Sequence, residues 1–130
     1  MGSKITEPLG SIFEPLTDLK LLKENKDSLL DTIAKMTNAG YNPATDAIGL
    51  VQTQSGHVPV VYDFDSLVRR RSRYVLSETM AFRLATWVHH LHLATGIPKL
   101  EILRDLKKRI SHPDGKKALK IVPELKEVKL

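Results

Sequence analysis

The chain has 130 residues, 42% of them hydrophobic and 27% charged, with a formal net charge of +5. This length fits one domain, and this balance is typical of a folded protein rather than a disordered or fibrous one. The absence of cysteine excludes disulfide bonds, thiol catalysis and cysteine-ligated zinc. No apolar run approaches the roughly 18 residues of a membrane span, and the first residues lack a signal-peptide layout, so we expect a protein made and kept, or packaged, inside a cell.

The first segment, residues 1–16, contains prolines and glycines together with five large apolar side chains: Ile5, Leu9, Ile12, Phe13 and Leu16. Exposing that much apolar surface to water is unfavourable. We therefore interpret this segment as an N-terminal arm that docks on its own core or on a neighbouring subunit.

A first helix is predicted over residues 18–37. Asp18 is a suitable N-cap. Behind it, apolar residues recur at spacings of three and four: Leu19, Leu22, Leu29, Leu30, Ile33 and Met36. Gly40 can adopt the left-handed conformation that ends a helix.

The next segment permits two interpretations. Asn42-Pro43 resembles an N-cap followed by proline at the first helical position, which would begin a short helix through roughly Gln52. Residues 47–54 are equally compatible with a strand, so we leave them open between helix and strand.

A β-hairpin is the alternative for this region. Residues 48–54 and 58–64 are rich in β-branched and aromatic residues and flank a plausible turn at 55–57. Pro59 would confine its strand to an edge of the sheet. We favour a hairpin or extended structure for 58–64.

The longest predicted helix begins at an aspartate cap near Asp63 or Asp65 and runs to about Thr95, where Gly96 ends it. One apolar stripe comprises Leu76, Met80, Leu84, Trp87 and Leu91. Other faces carry Val75, Phe82, Val88 and Leu93. We therefore expect this helix to be buried on most sides.

Pro98 begins a further helix, ending near residues 111–115, with Leu103, Leu106 and Ile110 facing inward and Arg104, Lys107 and Lys108 facing out. Residues 17–115 then form the helical domain, and 116–130, which mix charged and apolar residues, form a C-terminal arm. The predicted fold class is all-α or nearly so: a helical bundle with an N-terminal helical arm and a possible short β-hairpin around 48–64.

The charge is uneven, since residues 1–64 carry five Lys/Arg against eight Asp/Glu and residues 65–130 carry fifteen against seven. A polyanion would therefore bind the second half. Its sharpest feature is the arginine run Arg69, Arg70, Arg71 and Arg73. On a helix, Arg69 and Arg73 would share a face with Leu76, which is typical of a helix packed at one end and lying on phosphate at the other. A solvated basic face without a partner is the alternative.

Two lysine-rich clusters extend this hypothesis: Lys107, Lys108 and Arg109, and then Lys116, Lys117 and Lys120. If they converge with the arginine run, the surface would bind without sequence preference, because phosphate contacts carry no base code. Taken singly, each cluster is more typical of an ordinary soluble surface.

The motif His89-His90-x-His92 invites a metal interpretation. Only His89 and His92 share a helical face, no carboxylate follows at i+4 and the surroundings are apolar, so we expect core-edge or interface histidines and no cofactor. A phosphate-cradling glycine loop, paired catalytic carboxylates in a recognisable frame and a nucleophile elbow are all missing from the sequence. We therefore expect neither enzyme activity nor a small-molecule substrate.

Residues 85–106, ATWVHHLHLATGIPKLEILRDL, read as a long apolar helix, a glycine stop, a proline start and a second helix opening with Glu-Ile-Leu. This stretch resembles the C-terminal helical hairpin of the major capsid proteins of filamentous archaeal viruses, both rod-shaped and lipid-enveloped. The size, the basic charge, the missing cysteine and the scarcity of Asn and Gln, a thermophilic trait, also suit that group.

The resemblance implies a structural protein of the virion, assembled in the host cytoplasm. It implies subunits paired with themselves or with a paralogous capsid protein inside a helical filament, around double-stranded DNA in A-form. The basic helical surfaces facing that DNA would include the arginine run and, from the first helix, Lys20, Lys23 and Lys26.

The main alternative is a small helical subunit of an archaeal CRISPR effector complex, a class that is similarly short and basic, contacts nucleic acid and sometimes carries a β insertion between helices. A hairpin at 48–64 suits this alternative better than an all-helical capsid protein. A DNA-binding regulator is less well supported, because no short helix-turn-helix with a polar recognition helix is apparent. A scaffold that binds no nucleic acid is the fourth possibility.

Overall fold

The computed structural model describes residues 12–13, 15–45, 47–61 and 73–124, with the backbone alone at 12–13, 73–76 and 124. This part of the chain is mostly helical and carries one small antiparallel sheet, as predicted. Its helices are α1 (Leu19–Glu24), α2 (Lys26–Asn38), α3 (Arg73–Thr95), α4 (Lys99–Arg109) and α5 (Pro113–Ile121), and its strands are β1 (Ile12–Phe13), β2 (Ile48–Thr53) and β3 (Gly56–Val61).

The predicted first helix forms, but as two pieces. The Asp18 carboxylate caps α1 by accepting from the backbone N–H groups of Lys20 and Leu21, at 3.0 and 3.3 Å. The helix then breaks at Asn25, whose side-chain amide donates to the Leu21 carbonyl at 2.9 Å. The same carbonyl also accepts from the Asn25 backbone N–H at 3.1 Å, so the side chain adds a second donor at the point where the Asn25 backbone (φ −115°, ψ 22°) leaves the helical conformation.

The hairpin prediction is confirmed as far as residue 61, and the short helix through Gln52 is wrong. Residues 62–64 of the predicted second strand lie outside the described residues. Strands β2 and β3 pair antiparallel, with Thr53 opposite Gly56 and Leu50 opposite Pro59. The turn lies at residues 54–55, one position earlier than predicted. Because β3 is an edge strand, Pro59 leaves no ladder hydrogen bond unmade inside the sheet.

Helix α3 is the centre of the core, with α1, α4 and α5 packed against it. Met80, Leu84, Trp87 and Leu91 are fully buried, as their shared stripe predicted. The Trp87 indole N–H donates to the Pro43 carbonyl at 2.9 Å, so the buried ring keeps its polar atom satisfied. The helix ends before Gly96, whose φ is +77°. Its predicted start near Asp63 or Asp65 and the stripe residue Leu76 lie outside the described residues and side chains.

Two expectations for α3 and for the chain end need correction. Phe82 and Leu93, expected inside, are exposed. The stretch from Lys116, interpreted as an arm, begins within α5, which buries Ala118 and Leu119 in the core. The domain therefore continues past residue 115 to at least 122, because the segment's apolar residues have helical spacing and pack on α3.

The N-terminal arm is described only in part. Ile12 and Phe13 form β1, which pairs with Val51 and Leu50 of β2. Pro15 is buried, and Leu16 packs against the core. This end of the arm thus docks on its own chain. The arm, residues 1–16, was expected to be helical, and that expectation is wrong for residues 12–13, which form a strand by pairing with β2. Residues 1–11 and 14 lie outside the described residues.

Candidate nucleic-acid interface

Helices α4 and α5 form a hairpin whose connecting loop is held by α2. The Asn38 side chain donates to the Arg109 carbonyl at 3.1 Å and accepts from the backbone N–H groups of Ser111 and His112, at 2.8 and 3.1 Å. The His112 ring then caps α5, since its Nδ1 accepts from the Asp114 N–H at 3.1 Å. One asparagine thus fixes the end of α4 and the start of α5 together.

A glycine seats the first turn of α5 tightly. A Cβ placed on Gly115 would lie 2.5 Å from a methyl of Ile110 and 2.6 Å from the methyl of Thr37. These distances are well inside van der Waals contact, so no larger residue fits without moving α5. The close approach sets the spacing between α5 and the end of α2.

A groove of about 500 Å³ runs between α4 and α5. Two stripes with spacings of three and four line it. The first, on α4, comprises Leu100, Leu103, Arg104 and Lys107, and the second, on α5 and the 3-10 turn that follows it, comprises Lys116, Leu119, Lys120 and Pro123. The leucines and the proline make an apolar floor, and Leu100 is 56% exposed there. The four cations stand along the same walls.

The electrostatics of this groove have a single sign. In the described part of the chain, no carboxylate lines the groove or pairs with its cations. Lys108 and Lys117, each one residue along from a groove lysine, are also exposed. We call these six cations the basic hairpin surface: Arg104, Lys107, Lys108, Lys116, Lys117 and Lys120. The structure thus brings Lys107 and Lys108 of α4 close to the lysines of α5, a grouping that the sequence alone did not predict.

Arg109, also predicted to bind nucleic acid, is engaged by carboxylates instead. Its Nε donates to Asp105 at 2.7 Å, and its two terminal nitrogens lie 3.9 and 4.0 Å from Asp31 and Asp27. The hydrogen bond to Asp105 raises the pKa of Arg109, opposed by desolvation and reinforced by the nearby charges. Because α4 turns Arg109 towards α2, its charge is compensated within the protein, and the structure separates it from the basic hairpin surface.

The first-helix lysines differ among themselves. Lys20 and Lys23 are exposed on α1. Lys26 is an ion-pair partner of Asp27 at 3.0 Å and is only 25% exposed. The first two can meet a phosphate, whereas Lys26 would first have to leave its carboxylate.

The arginine run lies outside what the structure describes. Arg69, Arg70 and Arg71 fall in residues 62–72, and Arg73 opens α3 with only its backbone described. Their convergence with the basic hairpin surface therefore stays a prediction.

The histidines make internal contacts. The Nδ1 atoms of His90 and His92 lie 2.9 Å from the Thr86 carbonyl and 2.7 Å from the Ile97 carbonyl. Burial lowers the pKa of His89 from its usual 6.5, and the charges of Lys99, His90 and His92 lower it further. Within the described residues no three His, Asp or Glu side chains are grouped to hold a metal ion.

The groove floor is the feature that sequence reasoning missed. The sequence predicts Leu103 in the core, which the structure confirms, but it predicts an arm for the segment from Lys116 and therefore gives no reason to pair the apolar stripe of α5 with that of α4. The signal was present, since positions 100, 103, 104 and 107 repeat the spacing of 116, 119, 120 and 123. Only the tight turn at Ile110 to His112 brings the two stripes together.

Comparisons with known proteins place no restriction on this interface. No family model, no curated protein and no solved structure matches the chain. Among the described residues, none of the helices combines the length and the apolar character needed to cross a bilayer.

Proposed function

We propose that this protein is a non-catalytic structural protein that coats double-stranded DNA through sequence-independent phosphate contacts, as the major capsid protein of a filamentous virus does. The observation that carries the proposal is the basic hairpin surface: six cations on two adjacent helices, without a carboxylate partner among the described residues. Surface lysines and arginines are normally interspersed with acidic residues, so a concentration of one sign favours a polyanion.

The chemistry of this surface suits phosphate rather than bases. Lysine ammonium groups act as mobile point charges that follow a backbone, whereas base readout needs planar donors and acceptors held rigidly in a groove. Of these six residues, only Arg104 has a planar guanidinium group with paired N–H donors. Binding is therefore expected to be salt-sensitive and indifferent to sequence.

The finer architecture belongs to the same proposal. A helical bundle whose N-terminal helical arm reaches a neighbouring subunit, self or paralogous pairing within a filament, and A-form DNA all follow from the resemblance of residues 85–106. The region matched corresponds to the end of α3 and to α4. The arginine run would extend the DNA surface, and the protein would reside in the virion.

The site is tested by charge-neutral substitution. The variant Lys107→Gln is compared with Lys35→Gln, which removes the same charge from an exposed lysine of α2 that belongs to no predicted DNA surface. The groove variant should lose about three- to tenfold in affinity for a duplex at moderate salt, with little loss in the control, and adding Lys116→Gln and Lys120→Gln to the groove variant should increase the loss. Equal losses in both variants would refute the assignment of the site to the basic hairpin surface.

A second candidate function is favoured by one observation. The hairpin β2–β3 between α2 and α3 suits a small helical subunit of a CRISPR effector complex better than an all-helical capsid protein. Electron microscopy of the protein with long duplex DNA, beside a gel shift with single-stranded RNA, distinguishes the two. Regular filaments on the duplex support the coat protein, whereas tight RNA binding without filaments supports the effector subunit.

A further inference from the structure

The outward face of α3 carries apolar surface with no partner in the described part of the chain. Helices α1, α4 and α5 cover its other sides. Phe82 and Leu93 remain 45% and 54% exposed. They lie eleven residues apart, close to three full turns, and therefore on one face over about 16 Å. A helix that is apolar around its circumference is normally covered on all sides.

Two polar atoms flank this face in an unusual state. In the described residues, Arg83 Nε and His89 Nδ1 are both shielded from water and have no hydrogen-bond partner. The Arg83 guanidinium lies 6.0 Å from the centre of the Phe82 ring, at the outer limit of a cation–π contact. With Nδ1 enclosed, Nε2 is the nitrogen through which His89 can take a partner from outside. The exposed apolar pair, Phe82 and Leu93, is therefore the feature of this face that a second molecule would cover.

We propose that a second copy of this chain covers this face, the two α3 helices packing antiparallel across a two-fold axis. In this register Phe82 lies opposite Leu93 of the second copy, and Thr86 opposite its His89. The proposal deepens the self-assembly part of the proposed function and rests on it, but not on DNA binding.

The spacing of the face argues for a second copy rather than an unrelated protein. Thr86 lies four positions after Phe82, and Leu93 lies four positions after His89, so the spacing along the stripe is the same from either end. An isologous contact needs this self-complementarity. The small Thr86 between the bulky ends leaves room for His89 of the second copy.

Charge and hydrogen bonding agree with the register. The exposed Glu78 would lie opposite residue 97 of the second copy, two positions from its Lys99. The Thr86 hydroxyl donates to the Phe82 carbonyl at 2.9 Å, which leaves its oxygen free to accept from His89 Nε2 of the second copy. The contact therefore pairs apolar with apolar, acid with base, and donor with acceptor.

Self-association is tested on the full chain without DNA by sedimentation at about 100 µM, a concentration suited to a small interface of micromolar affinity. We expect a concentration-dependent dimer that Phe82→Glu and, separately, Leu93→Glu convert to monomer. Val58→Glu is the matched control, because Val58 on β3 is equally exposed at 45%. Thermal melts establish that each variant is folded. A wild-type monomer, or a dimer that survives both glutamates, would overturn the proposal.

The register is tested by disulfide crosslinking, which is clean because the chain has no cysteine. A mixture of Thr86→Cys and His89→Cys proteins should crosslink under mild oxidation far more than a mixture of Thr86→Cys and Val58→Cys. Equal crosslinking would overturn the antiparallel register. The monomeric Phe82→Glu protein should still bind a short duplex through the basic hairpin surface. A dimer that fails to bind DNA would instead contradict the proposed function alone.

Discussion

Replacing Asn38 should loosen the hairpin that carries the candidate interface. Its side chain makes three hydrogen bonds to the α4–α5 connection, to Arg109, Ser111 and His112. Each such bond contributes about 1 kcal/mol, and the one to the exposed Ser111 can be replaced by water. Asn38→Ala also gains about 0.5 kcal/mol of helix propensity. We therefore expect the free energy of unfolding to fall by about 1.5 kcal/mol.

Asn38→Asp is the informative comparison. A carboxylate keeps the acceptor for the N–H groups of Ser111 and His112 but loses the donor to the Arg109 carbonyl. The expected loss is about 1 kcal/mol or less, smaller than for alanine. Urea unfolding followed by circular dichroism measures both variants, with an unchanged denaturant slope. If alanine costs under about 0.5 kcal/mol, or if aspartate costs as much as alanine, Asn38 does not hold the loop as described.

Three further predictions concern the same region and α3. Gly115→Ala should destabilise the protein by about 1–3 kcal/mol, because the added Cβ meets Ile110 and Thr37. A thermal melt unchanged from that of the wild type would contradict this packing. Arg109→Gln should lower the free energy of unfolding by about 1 kcal/mol and leave the affinity for duplex DNA near that of the wild type, whereas Lys107→Gln weakens DNA binding. Equal losses of affinity in the two variants would show that the Arg109 guanidinium also contacts phosphate. Because the pKa of His89 is lowered in the folded protein, the unfolded chain binds a proton at this residue at a higher pH than the folded protein does. The free energy of unfolding should therefore decline as pH falls below 6.5, and His89→Gln should flatten that decline. Parallel stability curves for both proteins between about pH 7.5 and 5.5 would contradict this prediction.

Local patterns predicted much of the helical framework. Asp18, Gly40 and Gly96 marked helix ends because capping and left-handed backbone depend on a few neighbouring residues. The buried stripe of α3 followed from periodicity alone. The break at Asn25 was missed, because the apolar spacing continues across it and only a side-chain hydrogen bond reveals it.

The candidate interface was harder to predict, because it depends on contacts between distant segments. Lys107 and Arg109 are two residues apart and look alike in sequence, yet one lines the groove and the other pairs with Asp31 of α2. The orientation of α4 relative to α2 determines which of these cations pairs with a carboxylate and which remains available to bind a ligand. Likewise, the sequence around Lys116 resembles the start of a tail, and only the packing of α5 on α3 shows that it belongs to the helical domain.

The most direct test of the central claim is the salt dependence of duplex binding by the wild-type protein, measured on two DNAs of unrelated sequence. If binding is dominated by phosphate contacts from the basic hairpin surface, the logarithm of affinity should fall linearly with the logarithm of salt concentration. The slope should be about −3 to −5, the same for both sequences. A slope near zero, or strong preference for one sequence, would contradict the account.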